Sequence, residues 1–371
     1  MRILFLNPTG QWGGAESSLA DVLDSLHQAE PSWTLHLVAA SNGPLVERAG
    51  ATGATTEVLP FPPGIARLGE RGATSSKARS WRFAAEVAMA APSIARYRRA
   101  LGRAIGRFQP DVIHSNGLKM HLLGAWERGG APLVWHLHDY LGPRPLTARL
   151  LRWHHAQAAA VIANSASVAE DVRRALSNGM RVMTVRNAVD LDRFSASGER
   201  ADLDRLAGLA PAPAGTVRIG LVATFSRWKG HRTFLEAIGR LPEDPLVRAY
   251  IVGDAVYHTE GSQYALDELR RLAASLGVAD RIGFTGLVAR PETVFRALDI
   301  VVHASTAAEP FGLVIAEAMA CGRPVIISNA GGAAELVTPG EDGLAHAPGN
   351  AGELAAAMAT LAADGELRRR S

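Results

Sequence analysis

Cysteine is almost absent from this sequence of 371 residues, in which Cys321 is the only one. A single thiol excludes a disulfide within the chain and a metal site built from several thiolates. A chain without disulfides is typical of a reducing compartment, so we expect this protein in the cytoplasm. Cys321 follows the apolar segment Ala316–Ala320, which favours a buried, unreactive thiol over a nucleophile.

Long hydrophobic runs are absent as well. No stretch approaches the roughly 18 consecutive apolar residues that a membrane span requires. The apolar run at the start, Ile3–Leu6, is too short for a secretory signal and leads directly into a predicted strand. We therefore expect a protein that is soluble or bound to one face of a membrane.

The remaining composition is that of a folded protein. Hydrophobic residues make up 47% of the chain and charged residues 20%, which indicates a globular protein and excludes a disordered one. A chain of this length is long for one core and sufficient for two domains.

Short apolar runs alternate with helical patterns through both halves of the sequence. Runs that are apolar throughout are typical of strands buried on both faces of a parallel sheet. The predicted strands are Arg2–Asn7, Thr34–Ala39, Thr56–Leu59, Asp111–His114, Leu133–His136, Ala160–Asn164, Val182–Arg186, Arg218–Ala223, Ala249–Val252, Ile282–Thr285, Ile300–His303 and Val325–Ile327. Between them, Ala15–His27 and Ser165–Leu176 have helical length and periodicity, the second starting at a serine cap.

The two series of strands and helices predict an α/β protein with two Rossmann-like domains. Between them, residues 195–215 are rich in proline, glycine and small residues, which is typical of an interdomain region. We therefore predict an N-terminal domain over residues 1–194 and a C-terminal domain over residues 216–371.

Two glutamates, Glu309 and Glu317, stand eight residues apart on either side of a predicted helix start. The backbone N–H groups at such a start, together with the helix dipole, form a binding site for phosphate. Two carboxylates beside an anion site suit a ligand that is part diphosphate and part polyol, such as a sugar nucleotide. A chance spacing of two unrelated glutamates is the alternative for the bare pair, and the surrounding Pro310-Phe-Gly312 and Gly322-Arg-Pro324 argue against it.

The segment from Glu309 to Pro324 resembles the signature of retaining glycosyltransferases of family 4, which have the GT-B fold. The resemblance extends over nearly the whole chain, because further motifs follow in the family's order. These are Gly13-Gly-Ala-Glu16, His138-Asp139, Asn187-Ala-Val-Asp190, Lys229-Gly230, Val252-Gly-Asp254 and Gly331-Gly-Ala-Ala-Glu335. The resemblance implies two Rossmann-like domains that face one another across a cleft, with the nucleotide sugar bound by the C-terminal domain and the acceptor by the N-terminal one.

The activity that the resemblance implies is transfer of a sugar from a nucleoside diphosphate to a hydroxyl group, with retention and without a metal or other cofactor. The acceptor would be a sugar or a lipid-linked molecule in the synthesis of a cell-surface polysaccharide or glycolipid. A sugar-nucleotide epimerase or hydrolase of similar fold is an alternative, as is a catalytically silent nucleotide-sugar-binding subunit.

The resemblance also implies roles for single residues. His138 would contact the transferred sugar, Glu309 the sugar hydroxyls near the reacting carbon, and Glu317 the ribose. Lys229 would neutralise the departing diphosphate. The other expected donor contacts are Gly13, Gly14, Gly253, Val288, Phe311, Gly312 and Leu313. From the residues alone, Gly13-Gly14 also fits an ordinary strand-to-helix turn, and Gly253 and Val288 fit ordinary strand ends.

The sequence departs from the family pattern in two places. Ala223-Thr224 stands where many members have Gly-Arg, so the usual arginine partner of the lysine is missing there, and Arg227 is the candidate replacement. Family members also continue into a helix that crosses back to the N-terminal domain, whereas this chain ends at Ser371, where that helix would begin.

Basic residues are concentrated between Lys77 and Arg107, a stretch with a local charge of +7 in a chain of net charge +3. Arg96, Arg99, Arg103 and Arg107 share one helix face, beside the apolar Trp81, Phe83, Ile94 and Leu101. We expect this face to meet an anionic membrane surface, at the inner face of the membrane, or a phosphate-linked lipid acceptor. A solvated helix face, interrupted at Pro92, is the alternative. Nucleic acid is not an expected partner, because neither aromatic stacking platforms nor a known nucleic-acid-binding module accompanies the charge.

Overall fold

The structure is a computed structural model that describes residues 1–66, 77–176, 179–243, 246–256 and 261–370, apart from the side chains of residues 77–88 and 370. The chain divides into two compact units, Met1–Ala188 and Val189–Ser371. The stretch 195–215, expected between two domains, lies within the second unit.

The described part of the first unit contains a sheet of seven strands that all pair in parallel, in the order β3-β2-β1-β4-β5-β6-β7. The strands are β1 (Arg2–Asn7), β2 (Thr34–Ala39), β3 (Thr55–Val58), β4 (Val112–Asn116), β5 (Leu133–Leu137), β6 (Ala158–Ala163) and β7 (Val182–Thr184). The helices are α1 (Gly14–Ala29), α2 (Pro44–Ala51), α3 (Pro63–Ala66), α4 (Lys77–Phe108), α5 (Leu118–Glu127), α6 (Pro145–His154) and α7 (Ala166–Ala175).

The described part of the second unit contains a parallel sheet of six strands in the order β10-β9-β8-β11-β12-β13. The strands are β8 (Val217–Val222), β9 (Val247–Val252), β10 (Ile282–Gly286), β11 (Ile300–His303), β12 (Val325–Ser328) and β13 (Leu344–His346). The helices are α8 (Leu203–Leu206), α9 (His231–Ile238), α10 (Leu266–Ser275), α11 (Pro291–Ala297), α12 (Leu313–Ala320), α13 (Ala351–Ala363) and α14 (Gly365–Arg370).

Both sheets are covered on their two faces, as the apolar runs predict. In β1, Leu4 and Leu6 belong to one core cluster, and Ile3 and Phe5 to the other. The prediction of two Rossmann-like domains is confirmed. In each sheet the strand order reverses at one point, between β1 and β4 and between β8 and β11, and ligands of such sheets bind beyond the carboxyl ends of the strands there.

Local signals in the sequence have the expected effects. The Ser165 hydroxyl caps α7 by accepting a hydrogen bond from the Val168 N–H at 3.0 Å.

The short strand β13 lies at the edge of the second sheet and was not predicted, because three residues carry little periodicity.

The interruption predicted at Pro92 is wrong, because α4 continues through this residue. A proline inside a helix removes one backbone hydrogen bond. Here the residues that follow, Tyr97 and Leu101, are almost fully buried, and this packing offsets the loss. No helix among the described residues is long and apolar enough to cross a membrane.

A buried carboxylate holds residues 202–212 against the second sheet. Asp204 is 5% exposed and accepts hydrogen bonds from the Tyr250 hydroxyl and the Arg248 guanidinium, both at 2.6 Å, and from the Ala212 N–H at 2.9 Å. Burial opposes ionisation of Asp204, but these donors outweigh it and lower its pKa to about 2. Arg218 adds a second positive charge 3.6 Å away.

We expect Asp204→Asn to destabilise the second unit by on the order of 2 kcal/mol at neutral pH, because the carboxylate titrates about two units lower when folded than unfolded. A lowered pKa stabilises the fold above the unfolded value, so the difference between wild type and variant should shrink as pH falls from about 5 towards 2. Urea unfolding at several pH values measures it. Asp267→Asn, at an exposed ion pair, is the control. A difference that does not change with pH would contradict the assignment.

Candidate functional site

The loops after β8 and β11 meet where the strand order of the second sheet reverses. Lys229 comes from the first loop and Glu309 from the second, and the Lys229 Nζ lies 2.7 Å from the Glu309 Oε2. The same ammonium lies 4.1 Å from the centre of the Trp228 ring. The structure therefore brings together the two charged residues that were expected to act on a sugar diphosphate.

Glu309 is an ionised carboxylate held in a buried place, with 7% of the residue exposed. Its Oε2 accepts from Lys229, from the Ser305 hydroxyl at 2.8 Å and from the His303 ring at 3.0 Å. Burial by itself raises the pKa of the carboxyl group, but the Lys229 charge and these hydrogen bonds outweigh it, and the pKa of Glu309 lies well below its usual range. The carboxylate is negatively charged throughout the neutral pH range.

The histidine beside Glu309 has a defined tautomer. The His303 Nδ1 accepts a hydrogen bond from the Ser328 N–H at 3.3 Å, so the proton of the neutral ring lies on Nε2 and is donated to Glu309. The backbone of Glu309 is fixed as well, because its carbonyl accepts from the Gly332 N–H at 2.7 Å. His303 and Ser305 therefore position the carboxylate.

Two glycines in these loops have left-handed backbone conformations. Gly230 has a φ of +78°, and a Cβ there would lie 1.8 Å from the Ala304 carbonyl oxygen. A side chain at position 230 would therefore separate the two loops that carry Lys229 and Glu309. Gly312, with a φ of +95°, is the N-cap of α12 and begins the helix without a side-chain cap.

Helix α12 starts four residues after Glu309, and Glu317 is its fifth residue, on a half-buried position. Phe311 is buried beneath the helix start, whereas Leu313 and Glu317 are partly exposed. The free backbone N–H groups of the first turn thus lie between the two glutamates along the chain, as the spacing predicted.

The positions expected near the nucleobase lie at the ends of neighbouring strands. Gly253 directly follows β9 and donates its N–H to the carbonyl of Gly286, the last residue of β10, at 3.0 Å. Val288 is half-buried and packs against the core cluster that contains Val252. A Cβ on Gly253 would lie 2.0 Å from the Ala223 carbonyl oxygen, which gives this glycine a packing role in addition to any contact with a ligand.

Arg227 is engaged elsewhere in this structure. Its guanidinium makes two parallel hydrogen bonds of 3.0 Å to the carboxylate of Glu268 on α10 and lies 4.3 Å from the centre of the Tyr264 ring. To act as a second cation beside Lys229, Arg227 would have to give up its contacts with Glu268 and Tyr264.

In the first unit, His138 directly follows β5, and its Nε2 lies 3.3 Å from the Asn116 Oδ1 at the end of β4. Because an amide oxygen accepts, His138 donates through Nε2 and its Nδ1 remains an acceptor. Gly13 is the N-cap of α1, and a Cβ added to Gly14 would meet open space. The two glycines thus leave the start of α1 accessible.

His138 belongs to a group of four neighbouring histidines, the others being His114 on β4, His136 on β5 and His121 on α5. The His114 Nε2 lies 3.1 Å from the His136 Nδ1, and the rings of His136 and His138 are 4.1 Å apart. Burial lowers the pKa of His114 and His138 to about 4 and that of His121 to about 3, and it lowers the pKa of His136 well below the usual value. All four rings are therefore neutral at pH 7.

Among the described residues, no group of three or more histidine, cysteine, aspartate or glutamate side chains is arranged to hold a metal ion. The chain contains two Asp-x-Asp sequences, at Asp190 and at Asp202. The Asp190 carboxylate accepts from the N–H groups of Asp192 and Arg193, and Asp204 of the second sequence lies in the buried network described above.

The positioning residues His303 and Ser305 were not predicted. The signal that could have found His303 is its place as the last residue of a predicted strand, on the same edge as Lys229. The hydrogen bond from Ser305 depends on the shape of the loop after β11, which the sequence pattern does not define.

Two sheets of parallel strands in Rossmann order, with a polar site at the strand ends, define a protein of the two-domain GT-B fold class. The family model described as "Glycosyltransferase Family 4" matches residues 12–193, and the model described as "Glycosyl transferases group 1" matches residues 211–371. The chain belongs to the family-4 type of glycosyltransferases.

Individual relatives agree with this assignment. D-inositol 3-phosphate glycosyltransferase 2 of Catenulispora acidiphila is 35% identical over 271 residues, which are 68% of this chain and 62% of that protein. The lipopolysaccharide core biosynthesis glycosyltransferase LpsE of Rhizobium meliloti is 32% identical over 180 residues, 48% of this chain and 49% of the relative. The crystal structure of HepE from Anabaena with UDP and glucose has a TM-score of 0.79 at 29% identity, covering 100% of this chain and 92% of HepE.

We expect Lys229→Met to destabilise the second unit by about 3 kcal/mol, because it leaves the Glu309 charge buried without its partner. Adding Glu309→Gln removes that charge and should recover more than half of the loss. Urea unfolding of the two single variants and the double variant measures the coupling. Arg232→Met, at an exposed ion pair with Glu236, is the control and should cost less than about 0.5 kcal/mol. A cost for Lys229→Met no larger than the control would contradict a buried, ionised Glu309.

Proposed function

We propose that this chain is a retaining, metal-independent glycosyltransferase that moves a sugar from a nucleoside diphosphate to a hydroxyl acceptor. The observation that carries the proposal is the Lys229–Glu309 pair, 2.7 Å apart, immediately before the N-terminus of α12. It places a cation, a carboxylate and free backbone N–H groups within one short segment. Family membership and the UDP and glucose bound in the HepE structure support a nucleotide sugar as the donor.

Lys229 can serve the diphosphate without leaving Glu309. An ammonium group has three protons, of which one is donated to the Glu309 Oε2, so two remain for phosphate oxygens. The N–H groups at the start of α12 add positive partial charge where negative charge develops as the bond to the diphosphate breaks. These groups offer electrostatic stabilisation of the leaving group without a metal ion.

The carboxylates would hold hydroxyl groups. Glu309 accepts from sugar hydroxyls near the reacting carbon, and Glu317 accepts from the ribose. His303 and Ser305 keep the Glu309 carboxylate in place while Lys229 shares its protons with the diphosphate. His138 adds a neutral acceptor, its Nδ1, towards the transferred sugar.

In the proposed reaction, the bond from the anomeric carbon to the diphosphate oxygen breaks and a bond to the acceptor oxygen forms on the same face of the sugar. The proton of the acceptor hydroxyl passes to the departing diphosphate. The acceptor is a sugar or lipid-linked hydroxyl, in the synthesis of a cell-surface polysaccharide or glycolipid.

We expect Glu309→Gln and Glu317→Gln each to lower turnover about ten- to hundredfold, the effect of one lost charge-assisted hydrogen bond. Glu317→Gln should also weaken nucleotide binding, since its partner is the ribose. Turnover is measured with UDP-glucose as the first donor, with and without a strong chelator, which should have no effect. Nucleotide binding is measured by calorimetry, and Glu236→Gln on the exposed face of α9 is the control.

Wild-type affinity and turnover in both variants would contradict the site. Loss of turnover with the chelator, restored by a divalent ion, would contradict the metal-independent mechanism. Release of free sugar or of an epimer in place of a transfer product would favour the hydrolase or epimerase.

We propose in addition that the exposed face of α4 contacts an anionic membrane surface. Arg96, Arg99 and Arg103 are exposed on this helix. Arg107, by contrast, pairs with Glu57 at 2.8 Å. The first part of the basic stretch, with Lys77, Arg79, Trp81, Arg82 and Phe83, lies outside the described side chains.

We expect salt-sensitive sedimentation of the protein with anionic vesicles, because each basic group near such a surface contributes roughly 1 kcal/mol. The triple change of Arg96, Arg99 and Arg103 to Glu should abolish it, whereas Arg240→Glu on the second unit should not. Absence of binding to the vesicles at low salt would contradict the membrane contact and favour the alternative, a helix face that is only solvated.

A further inference from the structure

Trp228 is an aromatic residue at the surface of the second unit, directly beside the Lys229–Glu309 pair. It is 37% exposed, so its ring does not lie in the core. The Lys229 Nζ lies 4.1 Å from the centre of this ring and 2.7 Å from the Glu309 Oε2. The ammonium group therefore contacts a carboxylate and the face of an indole at the same time.

The main chain of Trp228 is fixed without the help of its ring. Thr306, from the loop after β11, donates its N–H at 2.7 Å and its hydroxyl at 3.2 Å to the Trp228 carbonyl. The preceding residue, Arg227, donates its own N–H to the Ser262 carbonyl at 2.9 Å. Because these bonds use backbone groups of residues 227 and 228, a substitution of Trp228 removes the ring and leaves the segment in place.

The contact between the ring and the ammonium group is an attraction. The face of an indole carries negative partial charge, and such a contact changes an equilibrium about two- to thirtyfold, depending on how far the cation is removed from water. The Lys229 side chain is 21% exposed, which lies between the two limits. A lysine has a long, flexible stem, so a second contact restricts the positions that its ammonium group can take.

The ring and the carboxylate differ in what happens when an anion binds. A diphosphate competes with Glu309 for the protons of Lys229, because both groups accept hydrogen bonds from an ammonium group. The indole of Trp228 has no charge and no lone pair that a phosphate oxygen could replace. Its contact with Lys229 can therefore persist while the ammonium group shares its protons between two anions.

We propose that Trp228 is a positioning residue, whose ring keeps the Lys229 ammonium group where it meets both Glu309 and the departing diphosphate. The inference rests on the proposed function in one respect, because it takes the second anion to be the diphosphate of a nucleotide sugar. The contact between the ring and the ammonium group is measured without any substrate.

The composition of the chain makes this contact accessible to NMR. The sequence contains three lysines, Lys77, Lys119 and Lys229, so the full chain labelled with carbon-13 at the lysine ε-carbons gives one signal for each. The signal missing from the Lys229→Met, Glu309→Gln double variant is that of Lys229. Protons above an aromatic ring are shielded, so we expect the Lys229 ε-protons to move downfield in Trp228→Leu and about half as far in Trp228→Phe, which keeps a smaller aromatic face.

The same variants separate turnover from substrate binding. Negative charge on the diphosphate is greater in the transition state and in free UDP than in UDP-glucose. We therefore expect Trp228→Leu to lower kcat with UDP-glucose about fivefold and the affinity for UDP by a similar factor, while KM for UDP-glucose changes less than about twofold. Trp228→Phe should lose only about twofold in kcat.

Two further variants test whether the ring acts through Lys229. In the Lys229→Met, Glu309→Gln background, Trp228→Leu should have no further effect on UDP affinity, measured by calorimetry. The matched control is Trp153→Leu, which removes an exposed indole whose ring faces the Arg149 guanidinium at 4.9 Å on the first unit, and it should leave kcat and UDP affinity unchanged. Urea unfolding checks that each variant is folded, and Trp228→Met, which is also apolar and without a ring, replaces Trp228→Leu if the latter does not fold.

An unchanged Lys229 signal in Trp228→Leu would overturn the contact. Wild-type kcat and UDP affinity in that variant, equal losses in Trp228→Leu and Trp228→Phe, or a further loss in the background without Lys229 would overturn the positioning role. Wild type that neither binds UDP nor uses UDP-glucose would contradict the proposed function, and the NMR signals would then decide by themselves whether Trp228 positions Lys229.

Discussion

Parallel pairing of every strand is the constraint on which the rest of this structure depends. A parallel sheet needs a crossover between successive strands, so the helices cover both of its faces and the strands themselves are apolar. All carboxyl ends of such a sheet lie along one edge. In the first unit this edge carries Asn7, Asn116 and His138, and in the second it carries Lys229 and Glu309.

The carboxyl edges of the two sheets differ in the charge of their side chains. In the second unit a buried carboxylate is stabilised by a lysine and a serine from two loops and by a histidine at the end of β11, and the backbone of a third loop fixes its main chain. In the first unit the side chains along the edge are amides and neutral imidazoles, with Glu16 at the margin. The strand ends of the second unit thus carry an ion pair, whereas those of the first carry uncharged amides and imidazoles.

The sequence predicts most of the fold because apolar strands and capped helices leave local patterns. Ser165 capping α7 and the apolar runs Ile3–Leu6 in β1 and Ile300–Val302 in β11 are examples. The sequence was less informative where tertiary packing determines whether a helix continues or which partner a side chain contacts. Pro92 lies inside α4 because Tyr97 and Leu101 are buried, and Arg227, placed near the lysine by spacing, pairs with Glu268 on a distant helix. The place of His303 beside Lys229 and Glu309 can be recognised only when strands from separate parts of the chain are in register.

The low pKa values of the four clustered histidines have a consequence for proton balance. A group of imidazoles near neutral pH usually acts as a buffer, taking up and releasing protons as ligands arrive. Here desolvation removes that capacity from the four imidazoles, which stay neutral at pH 7, whereas burial raises the pKa of the neighbouring Glu16 carboxyl group. When an uncharged molecule associates with this edge, the four histidines should therefore neither release nor absorb protons.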